Sequence, residues 1–181
     1  MLRLSLSAKE EWDPTKGEFI NIKATTLVLE HSLVSLSKWE SKHEKSFLEN
    51  VNKLDHSEII DYIKCMTISQ NVDDRVYDFL SQEDIKSIIA YIEAPMTATT
   101  FNDKNQTNSK KEVMTAEIFY YYMTALNIPF ECQKWHLNRL LTLIRVCAIK
   151  SQPEKKMSAA ENRSWRKAQN AARRAKLGSR G

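Results

Sequence analysis

The segment that most restricts the fold is Phe130 to Ile149. Its polar positions, Glu131, Lys134, Asn138, Thr142 and Arg145, fall in one row, and almost everything else is apolar: Trp135, Leu137, Leu140, Leu141, Leu143, Ile144 and Val146. A helix with so wide an apolar face must be surrounded by other elements, so this segment is expected to be the helical centre of a globular domain. It is not a membrane span, because nothing in the chain approaches 18 consecutive apolar residues. With only three glycines and four prolines in 181 residues, collagen-like, linker-rich, barrel and glycine-rich phosphate-loop architectures are disfavoured.

The N-terminal end is patterned differently. Leu2, Leu4 and Leu6 alternate with Arg3, Ser5 and Ser7, the period-two signature of a half-buried strand. Trp12 to Gly17 has turn chemistry, with Pro14 presetting one dihedral and Gly17 permitting a positive φ. A second strand is expected from Phe19 to Leu29, with Ile20, Ile22, Ala24, Thr26 and Val28 on one side. Residues 1–30 therefore read as a β hairpin in search of a surface to cover.

Between hairpin and central helix, His31 to Trp39 fits a short strand or irregular turn, and helical periodicity starts at Ser41 with Phe47, Leu48, Val51 and Leu54. A helix from Ser57, its expected cap, to Thr67 points Ile59, Ile60, Ile63 and Met66 inward. Ser81 caps another, with Glu83 and Asp84 in the first turn and Ile85, Ile88, Ile89 and Ile92 as its stripe. Residues 94–111 read as an extended surface arm. Thr115 opens a helix carrying Ile118, Phe119, Tyr122 and Leu126, which ends before Pro129. The expected class is α+β, mainly α-helical: a β hairpin (1–30), a helical core (41–150) with a β-arm (94–111), all in one globular domain 1–150, then a basic helix and tail (151–181).

The tail stands out by charge. Residues 150–181 hold ten Lys or Arg against Glu154 and Glu161, a net +8, so with +4 for the whole chain the preceding 149 residues carry −4. Ser158 and Glu161 match a capping box, and Gly178 suits the end of the helix. The apolar stripe between them, Trp165, Ala168, Ala172 and Ala175, is narrow and buries little. Arg163, Arg166, Lys167, Arg173 and Arg174 spread around it. Three roles stay open for them: phosphate contact, docking on an acidic or apolar protein partner, or a solvated extension.

Candidates for chemistry are few. Cys132 and His136 share a helix face at a spacing of four, but a zinc site needs three or four ligands. Three cysteines in no paired spacing point away from a disulfide scaffold. There is no glycine-flanked serine, and Glu10-Glu11 and Asp73-Asp74 are adjacent acids that fit solvated surface. The expectation is a non-enzyme with neither metal nor cofactor. Arg139 either pairs internally, lies exposed over an apolar stem, or joins Trp135 and His136 as a partner-binding row, with Trp39 and Trp165 as further aromatic anchors.

Thr26-Leu27-Val28-Leu29-Glu30-His31-Ser32-Leu33, Ser37 to Ser41, Trp135 to Arg145 and the closing run Asn170 to Gly181 resemble proteins of tailed-bacteriophage structural-gene clusters. The chain is most similar to the tail assembly chaperones of siphophages. That resemblance implies a partly helical, non-enzymatic protein in the host cell cytoplasm that holds the aggregation-prone tape measure protein and helps recruit tail tube subunits. It carries no residue-level motif. A structural virion protein (head–tail or tail-completion) and a nucleic-acid-binding protein are the alternatives, a homo-oligomer stays open, and no membrane is involved.

Overall fold

The computed structural model describes residues 1–13, 17–101, 113–151 and 159–178, and the chain divides into two compact units, Met1–Ala148 and Ile149–Gly181. The fold is α+β and mainly helical.

The first unit opens with four strands, β1 (Leu2–Leu6), β2 (Lys9–Asp13), β3 (Glu18–Ile22) and β4 (Thr25–Leu29). β1 pairs with β4 and β2 with β3, both antiparallel, from Leu2 opposite Leu29 to Asp13 opposite Glu18. This is one long hairpin, interrupted where Ser7-Ala8 faces Lys23-Ala24. Gly17, at φ 67°, closes its tip in a conformation glycine adopts without steric cost. The interruption corrects the expected inward set. Leu27 and Leu29 are buried in β4, whereas in β3 it is Ile22. Buried positions thus change from odd to even across the break, and Val28 is only half-buried.

β4 runs almost directly into α1 (Leu33–His43). Ser32 and Ser35 form a reciprocal capping box at its start, so helix begins at Leu33 and not at Ser41. The short α2 (Phe47–Asn50), a 3₁₀ turn (Val51–Lys53) and α3 (His56–Met66) follow, so the helix expected through Leu54 is broken at the left-handed Glu44. Asp55 caps α3 in a box with Glu58, two residues earlier than the expected Ser57, because its carboxylate reaches the Glu58 amide at 2.8 Å. A 3₁₀ turn (Asp74–Phe79) leads to α4 (Gln82–Glu93), capped by Ser81 and Asp84. Residues 94–101 form no strand, and the rest of the expected arm lies outside the described residues apart from its neighbour Val113.

α5 (Ala116–Ala125) ends at left-handed Asn127, and a 3₁₀ turn (Phe130–Lys134) precedes α6 (Leu137–Ser151). The helix expected from Phe130 is therefore two pieces. Trp135 is extended and His136 bridges to Ser32, which breaks the helical ladder between them.

α1 lies at the centre, packed on α3 and α5. Leu33, Leu36 and Trp39 on α1 are fully buried, with Ile63 and Met66 from α3, Phe119 and Met123 from α5, and Leu137 and Leu140 from α6. Each such side chain contributes about 1.5–3 kcal/mol by leaving water, before conformational entropy is subtracted.

The second unit contains α7 (Ala159–Leu177), ending at Gly178 with φ 62°. No described residue of this helix is buried. Ser158, the expected cap, lies outside the described residues.

Candidate functional site

Two kinds of place carry unusual side chains: a buried junction in the first unit, and exposed aromatic or basic surface.

The junction forms where the chain leaves β4. Glu30 N–H donates to Met66 O (2.8 Å), Leu137 N–H donates to His31 O (2.8 Å), and Ile68 N–H donates to Val28 O (2.9 Å). These bonds tie the entrance of α1 to the end of α3 and the start of α6. They also bury His31, whose Nδ1 lies 2.6 Å from the Tyr62 hydroxyl, a hydrogen bond that either group can donate. The His31 ring meets His136 edge-on at 5.1 Å, and His136 meets Tyr91 at 4.9 Å. His136 Nε2–H donates to Tyr91 O at 2.9 Å, while its Nδ1 is buried without a hydrogen-bond partner among the described residues.

Burial sets the protonation of this cluster. It drives the His31 pKa down to about 3, with a smaller push from His136. Burial also lowers His136, partly offset by its bond to Tyr91, and raises the Tyr62 phenol far above its ordinary value. Two neutral imidazoles and a neutral phenol thus stack where four elements meet. Such an arrangement positions backbone and can also respond to acid. With His31 2% exposed, it offers a solute no direct approach to that ring.

Glu40 is a buried carboxylate. Its Oε1 accepts from Phe47 N–H (2.9 Å) and its Oε2 from Ala116 N–H (2.7 Å). One carboxylate therefore caps α2 and α5 at once, and Thr115 makes no side-chain cap. Burial, with a smaller push from Glu117, holds the Glu40 pKa above its ordinary value despite the two N–H bonds that lower it.

The sequence candidates separate into three groups. Trp39 is wholly buried, with its Nε1–H on Glu58 O (3.0 Å) and its ring stacked on His43 at 4.3 Å. This corrects its place among partner-binding residues: it is a core anchor. His136 turns inward to Tyr91 and leaves the expected row. Cys132 lies buried on the 3₁₀ turn, so it and His136 do not share a helix face. No group of three His, Cys, Asp or Glu placed to hold a metal occurs among the described residues. Trp135 and Arg139 do remain together at the surface, with the exposed guanidinium 4.2 Å from the centre of the half-buried ring. Trp165 is 52% exposed, and Arg163, Arg166, Lys167, Arg173 and Arg174 are exposed beside it on α7.

Some features gave no sequence signal. Trp12 and Phe19 pair across β2 and β3 at 5.0 Å, both more than half exposed near the hairpin tip. Phe130 is exposed beside Tyr120, whose hydroxyl donates to Gln133 Oε1 at 2.9 Å. Asn138, a member of the polar row, donates through Nδ2 to Ile92 O and Ala94 O at 2.9 Å each, closing the end of α4. Of the paired acids, Glu10, Asp73 and Asp74 are exposed. Arg75, 2.6 Å from Asp73, holds that carboxyl down at about 2, and Glu10 accepts a 3.4 Å bond from Asn21 across the hairpin.

Among the described residues of the first unit, two clefts have a partly apolar lining. One of about 320 Å³ lies beside α1 and α3 and includes Val34, Met66, Ile68, Lys38 and Lys134. The other, of about 180 Å³, lies between the interruption of the hairpin and the 3₁₀ turn before α4, with Leu6, Ile22, Val76 and Phe79 as its apolar part. No helix among the described residues is long and apolar enough to cross a membrane. Comparison with protein-family models, curated proteins and solved structures gives no match.

Proposed function

We propose that this chain is a non-enzymatic bacteriophage tail assembly chaperone that grips the tape measure protein through its basic C-terminal helix. The carrying observation is α7. It is a 19-residue helix with no buried residue, a narrow stripe built on Trp165, and a strongly basic surface. A helix that buries nothing is marginal by itself in water and gains most of its order from a partner. A long helical client with apolar seams and acidic flanks supplies both halves of that interaction, by helix-to-helix contact. The sequence resemblance to siphophage tail assembly chaperones supports the same role, in the host cytoplasm, alongside tail tube subunits.

Co-expression with the tape measure protein tests this. The full chain should raise the client's soluble fraction and copurify with it, and Trp165→Ala with Arg166→Glu should abolish both effects. Unchanged client solubility with the intact chain would reject the role. Mass spectrometry of purified virions addresses the structural alternative: a chaperone is absent or at trace level there, whereas a head–tail or tail-completion protein is retained at fixed stoichiometry.

The exposed arginines of α7 also favour a second reading, contact with nucleic-acid phosphates. That reading requires duplex affinity that falls steeply with salt and disappears when Arg163, Arg166, Lys167, Arg173 and Arg174 are neutralised.

A further inference from the structure

The negative charge of the first unit is unevenly placed. Between Asp73 and Asp84 lie Asp73, Asp74, Asp78, Glu83 and Asp84 against Arg75 alone, a net −4 that equals the whole excess of residues 1–149. This stretch borders the 180 Å³ cleft, whose floor is Leu6, Ile22, Val76 and Phe79 and whose wall includes Asp84. Asp73 is held by Arg75, whereas Asp74, Asp78 and Glu83 are exposed and next in sequence to, or within two residues of, the lining residues Val76, Phe79 and Asp84. Lys9 is the one cation among the described lining residues. It is turned aside, donating to Phe79 O at 3.4 Å with its ammonium 5.9 Å from that ring's centre.

The matching surface is on the same chain. α7 carries Arg163, Arg166, Lys167, Arg173, Arg174 and Lys176 against Glu161, a net +5. Arg166 and Arg173 are seven apart and so share one flank of the Trp165–Ala168–Ala172 stripe. Trp165 is the only large apolar group on that stripe, and the cleft has room for about one indole.

We infer that α7 of one copy docks on this cleft of a second copy, Trp165 entering between Leu6, Ile22, Val76 and Phe79 while Arg166 and Arg173 face Asp74, Asp78 and Asp84. The exchange is reciprocal, each copy giving a helix and receiving one, so the contact closes as a two-fold dimer. An aromatic anchor in an apolar pocket ringed by complementary charge is the usual composition of a binding hot spot.

Sedimentation velocity of the nuclease-treated full chain over a concentration series, at low and high salt, tests this without any client, so its outcome is independent of tape measure binding. The wild-type chain should show reversible dimerisation that weakens with salt. Trp165→Ala, the pair Arg166→Glu with Arg173→Glu, and the pair Asp74→Arg with Asp78→Arg should each weaken it about tenfold or more. All these side chains are exposed, so the thermal transition of the first unit should not move. Mixing the tail-reversed chain with the body-reversed chain should restore a heterodimer, since each tail then meets a cleft of opposite charge. A wild-type chain that stays monomeric at the highest concentration overturns the inference, whether its helix folds back on its own cleft or binds nucleic acid only. So does dimerisation that survives both reversals, or a mixture that fails to associate.

Discussion

Acid should loosen this protein earlier than its surface carboxylates require, and His31 supplies the magnitude. In the unfolded chain an imidazole titrates near 6.5. In the folded chain burial holds His31 at about 3. A base whose pKa is depressed by folding stabilises the fold fully above its unfolded value, and that contribution is lost as pH falls from about 6.5 towards 3. Between pH 7 and pH 5 the loss from this one residue is roughly 2 kcal/mol, out of a total stability on the order of 5–15 kcal/mol. His136 is shifted in the same direction and adds to it. Glu40 opposes it, because its raised pKa favours the folded state as pH falls. His31→Gln isolates the effect, since glutamine keeps a polar group against Tyr62 and does not titrate. Urea unfolding at pH 7 and pH 5 should show the wild-type chain losing about 2 kcal/mol more than the variant over that interval. Equal losses in both proteins, or an NMR titration placing the native His31 near 6.5, would refute the account of the junction.

Other consequences are simpler to read. Trp39→Ala should cost about 3–5 kcal/mol in chemical denaturation, because it opens a cavity at the centre of α1 and removes the bond to Glu58 O. Asp55→Ala should lower stability by about 1 kcal/mol through loss of the α3 cap, with little change in the cooperativity of unfolding. Brief trypsin treatment of the chain, diluted until it is monomeric, followed by mass spectrometry should show cleavage after Arg163, Arg166, Lys167, Arg173 and Arg174 well before any site in α1 or α3, since α7 buries no residue.

The sequence revealed what rests on simple periods. Alternation of Leu2, Leu4 and Leu6 exposed the hairpin, and the isoleucines of 59–63 and 85–92 exposed α3 and α4. What it hid has physical causes. α1 was invisible because two inward positions, Ser35 and Glu40, are polar. Each is satisfied in the fold, Ser35 by the local capping box and Glu40 by amides 7 and 76 residues away, and no window of sequence contains that last partner. The split of 130–149 was hidden for a related reason: a strand-like bridge from His136 to Ser32 overrides local helical preference. Aromatic residue type alone could not separate Trp39 from Trp165. One is buried on the central helix and the other is exposed on α7. The Trp135–Arg139 pair survived because i, i+4 neighbours need only a local turn to meet.

The central claim is that this protein works by gripping another macromolecule through α7. Amide hydrogen exchange of the full chain, alone and saturated with the tape measure protein, tests it most directly. Slowed exchange concentrated in Ala159–Leu177 on adding the client is the predicted result. Protection that appears only within Met1–Ala148, with α7 exchanging as fast as before, would contradict it.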